Sequence, residues 1–88
     1  MPIILTKIIA SNIHGRVNRK ITTEVLDETD YMKAVKLVEE KYIKPLGDSV
    51  KRSISNGYSI WELKTEYEPG KWTGVKFKLE KEYDDLIF

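Results

Sequence analysis

Residues 3–26 read I-I-L-T-K-I-I-A-S-N-I-H-G-R-V-N-R-K-I-T-T-E-V-L, two β-branched runs separated by a short polar stretch. From Ile3 the positions Ile4, Thr6, Ile8 and Ala10 alternate with Ile3, Leu5, Lys7 and Ile9, and Lys20 to Leu26 has the same character. A period of two marks extended strands. A two-residue turn at His14-Gly15 sets Ile8 opposite Ile21, Thr6 opposite Thr23 and Ile4 opposite Val25, so the apolar sets coincide on one face of a hairpin. A turn nearer Val17-Asn18 is the alternative, because Asn also tolerates positive φ. If Ile4, Ile8, Ile21 and Val25 face the rest of the domain, then Ile3, Leu5, Ile9 and Leu26 point away, interrupted by Lys7, Thr22 and Glu24.

Next along the chain, Asp27, Thr29 and Asp30 are candidate caps, and Glu28 and Asp30 place negative charge at the positive end of a helix expected to reach about Ile43. Tyr31, Ala34, Val35, Val38 and Tyr42 form its apolar stripe, with Lys33, Lys36, Glu40 and Lys44 mostly on the other side. Pro45 disfavours helical geometry at Lys44, and Gly47 can close the segment in the left-handed conformation. Asn56-Gly57 is a hairpin turn that pairs Lys51 with Glu62; Asp48 could equally cap a short helix through Ile54, which leaves residues 49–55 as strand or helix.

Trp61, Leu63, Thr65 and Tyr67 then alternate with Glu62, Lys64 and Glu66. After Pro69-Gly70, Val75, Phe77, Leu79 and Tyr83 alternate with Lys76, Lys78, Glu80 and Glu82. These are half-buried antiparallel strands. Pairing Tyr67 with Trp72 on the inner face, with Val75 beside them, calls for one extra residue, a bulge at Thr73-Gly74.

The expected fold is a single α+β domain over residues 1–83, in the order ββαββ or ββαβββ, with one helix packed on one face of a mostly antiparallel sheet. Residues 84–88 form a short acidic and then apolar tail. The order resembles that of β-grasp domains; the likeness lies in element order, and no residue motif accompanies it.

With 88 residues, 41% of them apolar and 33% charged, the chain has the make-up of one globular domain with a thin core. Cysteine is absent, so packing is supplemented by neither disulfides nor thiolate metal sites, and the balance leans towards the cytoplasm. The net charge of +1 hides an asymmetry: residues 1–23 carry Lys7, Arg16, Arg19 and Lys20 with no acid, and the remainder is net acidic. No apolar run approaches the roughly 20 residues of a membrane helix, and the Pro2-Ile3-Ile4-Leu5 start lacks the features of a signal peptide.

Catalysis is disfavoured by inventory. His14 is the one histidine, it sits in a turn without a nearby acid, and none of the serines stands in a G-x-S-x-G setting. Most carboxylates alternate with lysines on outward strand faces, where they serve as solvated partners rather than as an acid and base pair. The five glycines are scattered among turns and make no phosphate loop, and one histidine without cysteine makes a transition-metal site improbable. The expectation is therefore a non-enzyme with no cofactor and no metal.

Two surfaces remain. The first hairpin gathers Asn12, His14, Arg16, Asn18, Arg19 and Lys20, a basic ribbon able to track phosphates. Its outward apolar side, Ile3, Leu5, Ile9 and Leu26, extended by Tyr58 and Ile60, is more sheet than one helix covers and marks a contact site for a partner protein or a second copy. Leu86, Ile87 and Phe88 either fold back over that side or insert into a groove on another protein. The expectation is a protein-binding module, with a nucleic-acid-binding domain as the alternative. The inhibitor or adaptor label, and an origin in a mobile genetic element, come from how often small compact domains play those parts and from no residue of this chain.

Overall fold

A computed structural model describes residues 2–81. Strand β1 (Ile3–Ile13) and strand β2 (Arg16–Leu26) are followed by helix α1 (Tyr31–Val38), a π-helical turn (Glu39–Ile43) and a 3-10 turn (Lys44–Leu46). Strands β3 (Lys51–Ser55), β4 (Tyr58–Glu68) and β5 (Lys71–Lys81) complete a ββαβββ order. The five strands form one sheet in the order β2-β1-β5-β4-β3, antiparallel at every step.

The turn between β1 and β2 is His14-Gly15, both at positive φ (53° and 82°), as a type I′ turn requires. The Asn12 side chain accepts the Gly15 N–H at 3.1 Å. With the turn so placed, Ile8 stands opposite Ile21 and Ile4 opposite Val25. The second hairpin pairs Lys51 with Glu62, which makes residues 51–55 a strand; at its Asn56-Gly57 turn only the glycine has positive φ.

Asp30 caps α1, its carboxylate accepting the Met32 and Lys33 N–H groups at 3.1 and 3.3 Å. Tyr31, Ala34, Val35 and Val38 are buried as the helical period dictates. The period would place Tyr42 next, but the π turn inserts one more residue, so Ile43 takes the fully buried position. Tyr42 is left half-buried with its ring stacked on Phe77, centroids 5.3 Å apart. Gly47, at φ 92°, closes the segment.

These helical side chains share one core with Ile3, Leu5, Val50, Trp61, Phe77 and Leu79. The strand contributors follow from register: Leu5 stands opposite Leu79, Phe77 opposite Trp61, and Leu79 opposite Ser59. The core therefore takes the odd positions of β1, the reverse of the facing expected from the hairpin. Matching Ile8 with Ile21 fixes the pairing of β1 with β2 but leaves both sides of the ribbon apolar, and β5 decides between them. Next to Ile4, Thr6 and Ile8 it sets Glu80, Lys78 and Lys76, whereas next to Leu5 and Lys7 it sets Leu79 and Phe77. Burying the even side would have buried those charges.

The bulge also lies elsewhere than expected. Register shifts between Glu66 and Glu68, so the unpaired residue is Tyr67 and not one of Thr73-Gly74. Trp72 accordingly pairs with Glu66 and Asn12, on the side away from Phe77. Neither Tyr67, which is exposed, nor Trp72 is a core residue. A Cβ built on Gly74 would lie 3.6 Å from the Trp72 ring, so the indole covers the gap that this strand glycine leaves.

The molecule measures 47 × 30 × 18 Å, and its radius of gyration of 14.8 Å exceeds the ~12 Å of a compact domain this size. Strands of eleven residues span about 37 Å, while the helical segment from Tyr31 to Leu46 reaches only about 24 Å. One end of the sheet therefore extends past the helix. No helix among the described residues is long and apolar enough to cross a membrane.

Candidate functional site

Because odd positions of β1 enter the core, its even positions share the other face with their partners in register. Ile4, Thr6, Ile8 and Ala10 lie beside Val25, Thr23, Ile21 and Arg19 of β2. As β2 is an edge strand, Ile21 and Val25 are 59% and 65% exposed, and Val17 beyond them is 52% exposed. Ile4 and Ile8, flanked by strands on both sides, are half-buried. The result is an apolar stripe along the hairpin half of the face, bordered on β5 by Lys76, Lys78 and Glu80.

The six residues expected to form the contact side are dispersed. Ile3 and Leu5 (2% exposed) lie in the core, so the expectation that they point outward is corrected, and Leu26 packs against the same core. Ile9 is exposed but has the core-side parity of β1, in the depression beside Tyr42 and Leu46. Tyr58 and Ile60, opposite Glu80 and Lys78, share the face of Ile4 and Ile8. The residues brought together are thus Ile4, Ile8, Ile21 and Val25, which the sequence assigns to the core side. The signal that could have found them was the run Lys76, Lys78, Glu80, which has to lie on the same side as Ile8, Thr6 and Ile4.

The basic residues are also divided. Arg19 and Asn12 share the face of Ile8, whereas Arg16, Asn18 and Lys20 have the opposite parity and His14 sits exposed in the turn. Asn12 is half-buried, and its carbonyl oxygen is engaged in the turn. The salt bridges found among the described residues, Arg52–Glu39 at 2.7 Å and Lys71–Glu68 at 2.8 Å, do not involve Arg16, Arg19 or Lys20. Leu86, Ile87 and Phe88 lie outside the described residues.

On the face that carries the core residues, the Tyr42 hydroxyl donates to Glu24 at 2.8 Å, and Lys7 Nζ stands 5.6 Å from the centre of the Phe77 ring. Both flank a shallow depression floored by Leu5 and Phe77. A second depression, beside the π and 3-10 turns, is lined by Ile9, Tyr42, Leu46, Leu63 and Val75. No cluster of three or more His, Asp or Glu side chains that could hold a metal ion occurs among the described residues. The Tyr31 phenol is shifted above its ordinary value by burial, the Ser59 hydrogen bond opposes that shift, and Glu80 adds to it. It pairs with Ser59 Oγ and donates to the Leu79 carbonyl, both at 2.8 Å, inside the core.

Compared with protein-family models, curated proteins and solved structures, the chain matches none.

Proposed function

We propose that this protein is a non-enzymatic protein-binding module of the inhibitor or adaptor kind, acting in the cytoplasm by covering a partner's surface. By this reading the helical layer packs on one face of the sheet, and the open face of the β1–β2 hairpin is the contact. The observation that carries it is the exposure of Ile21 and Val25 beside Ile4 and Ile8. A contiguous apolar stripe on a soluble surface stabilises the molecule only when something removes it from water. Arg19 on the face of the stripe, with Arg16 and Lys20 on the opposite side of the same edge strand, favours a partner with an acidic border, which would speed association and set orientation more than it adds affinity.

The test is retention of a stoichiometric protein from a nuclease-treated cytoplasmic extract of the source cells. Retention should survive Arg16→Ala/Arg19→Ala and be lost in Ile4→Asp/Val25→Asp. Retained nucleic acid whose binding weakens steeply with salt and disappears in Arg16→Ala/Arg19→Ala would replace this reading with a nucleic-acid-binding one.

A further inference from the structure

We infer that β2 is a self-pairing edge: two copies of the chain join β2 to β2 in antiparallel fashion, about a two-fold axis through Ile21, into one ten-stranded sheet. The contact uses the backbone edge of the hairpin. Its Val17–Val25 and Ile21–Ile21 pairs touch the margin of the open face and leave Ile4 and Ile8 clear, so the sheet pairing and the partner contact can coexist and are tested separately.

An open strand edge presents unpaired N–H and C=O groups, and folds commonly blunt such edges with short strands, charged side chains, bulges, proline or a covering element. Of these, β2 has only the charges Arg16, Arg19, Lys20 and Glu24, which a pairing register has to accommodate. The β3 edge is five residues long. β2 is eleven residues long, keeps unbroken register with β1, contains no proline and has Arg16 to Val25 all exposed. The turn fixes which groups it offers. A two-residue turn closes on a hydrogen-bonded pair, here Ile13 and Arg16, and such pairs alternate along an antiparallel ladder. The backbone groups of Val17, Arg19, Ile21, Thr23 and Val25 therefore point away from β1. A second copy supplies the same five, and the full-length pairing forms about ten backbone hydrogen bonds.

Side chains select the register. With the axis at Ile21, Val17 of one copy faces Val25 of the other, Ile21 faces Ile21, and Arg19 faces Thr23. On the helix side Asn18 faces Glu24, Lys20 faces Thr22, and Arg16 and Lys20 flank Glu24 diagonally, so the strand's single acid sits between two bases of its partner. The Tyr42 hydroxyl already holds the Glu24 carboxylate on that side. Moving the axis to Lys20 sets Lys20 against Lys20 and Arg19 against Ile21. Moving it to Thr22 sets Arg19 against Val25 and Ile21 against Thr23. The Thr22 axis gains a direct Lys20–Glu24 pair but breaks the match of the apolar positions. The Ile21 axis pairs all eleven residues, opposes no like charges and matches Val17, Ile21 and Val25 among themselves, with Arg16 opposite Leu26 at the strand ends.

The test combines mass and register. Light scattering on the eluting full chain should show a mass rising from 10.3 kDa towards twice that value as concentration approaches about 0.5 mM. Ile21→Lys, a change at an exposed position, should weaken the dimer at least about tenfold by setting two ammonium groups at the axis. Because the chain has no cysteine, single thiols report register. In a glutathione redox buffer, Ile21→Cys should form a covalent dimer several-fold faster than Arg19→Cys or Thr23→Cys, since only residue 21 meets its own copy. A mass that stays at the monomer value throughout, or equal cross-linking at all three positions, overturns the inference. A monomer whose open face still captures a partner would overturn it while leaving the proposed function standing.

Discussion

Leu5 and Ile4 are chain neighbours in opposite environments, the first sealed against Leu79 in the core and the second on the open face beside Val25. Leu5→Ala should cost about 2–5 kcal/mol, the sum of lost transfer energy and the cavity it leaves. Ile21→Ala, at a largely exposed site, should cost under about 1 kcal/mol; urea denaturation of the two variants checks the contrast. Tyr31 offers a pH test. Its folded phenol ionises above 10.0, so the unfolded chain loses that proton first as pH rises. Stability from this group is therefore complete below pH 10 and declines above it. Tyr31→Phe should cost about 1–2 kcal/mol near neutrality by removing the bond to the Leu79 carbonyl. The gap between the two proteins should narrow as pH climbs past 10, and a gap that stays constant would contradict the burial of the phenol.

At the scale of elements, the β1–β2 turn holds a histidine where a type I′ turn favours asparagine. His14→Asn should raise stability by roughly 0.5–1 kcal/mol in thermal denaturation, and a loss would contradict the turn type. The registers of the β1–β2 and β3–β4 hairpins were legible in the sequence, because period-two patterns and two-residue turns constrain each other locally; that of the β4–β5 hairpin, expected to pair Tyr67 with Trp72, was not. The sidedness of the first hairpin was not. Its two faces are nearly equally apolar, so the choice rests on β5, some fifty residues further on. The π turn that moves Ile43 into the core and the bulge at Tyr67 were also out of reach, since each inserts one residue for the sake of distant packing and carries no local signature. For the candidate site the same cause applies: Tyr58 and Ile60 lie on the open face, but the stripe they accompany belongs to the even positions of β1.

The whole molecule is a thin, elongated slab whose sheet outruns its helical segment. Whatever binds the apolar stripe, the stripe has to be open to water in the free protein, and an edge-paired dimer keeps it open because its two-fold axis stands perpendicular to the sheet. Methyl NMR of the unmodified chain with a soluble gadolinium chelate measures that exposure directly. The methyl signals of Val17, Ile21 and Val25 should be strongly attenuated while those of Ile3, Leu5, Ile43 and Leu79 persist. Attenuation of Ile3 and Leu5 with protection of Ile21 and Val25 would contradict the facing of the sheet on which the account depends.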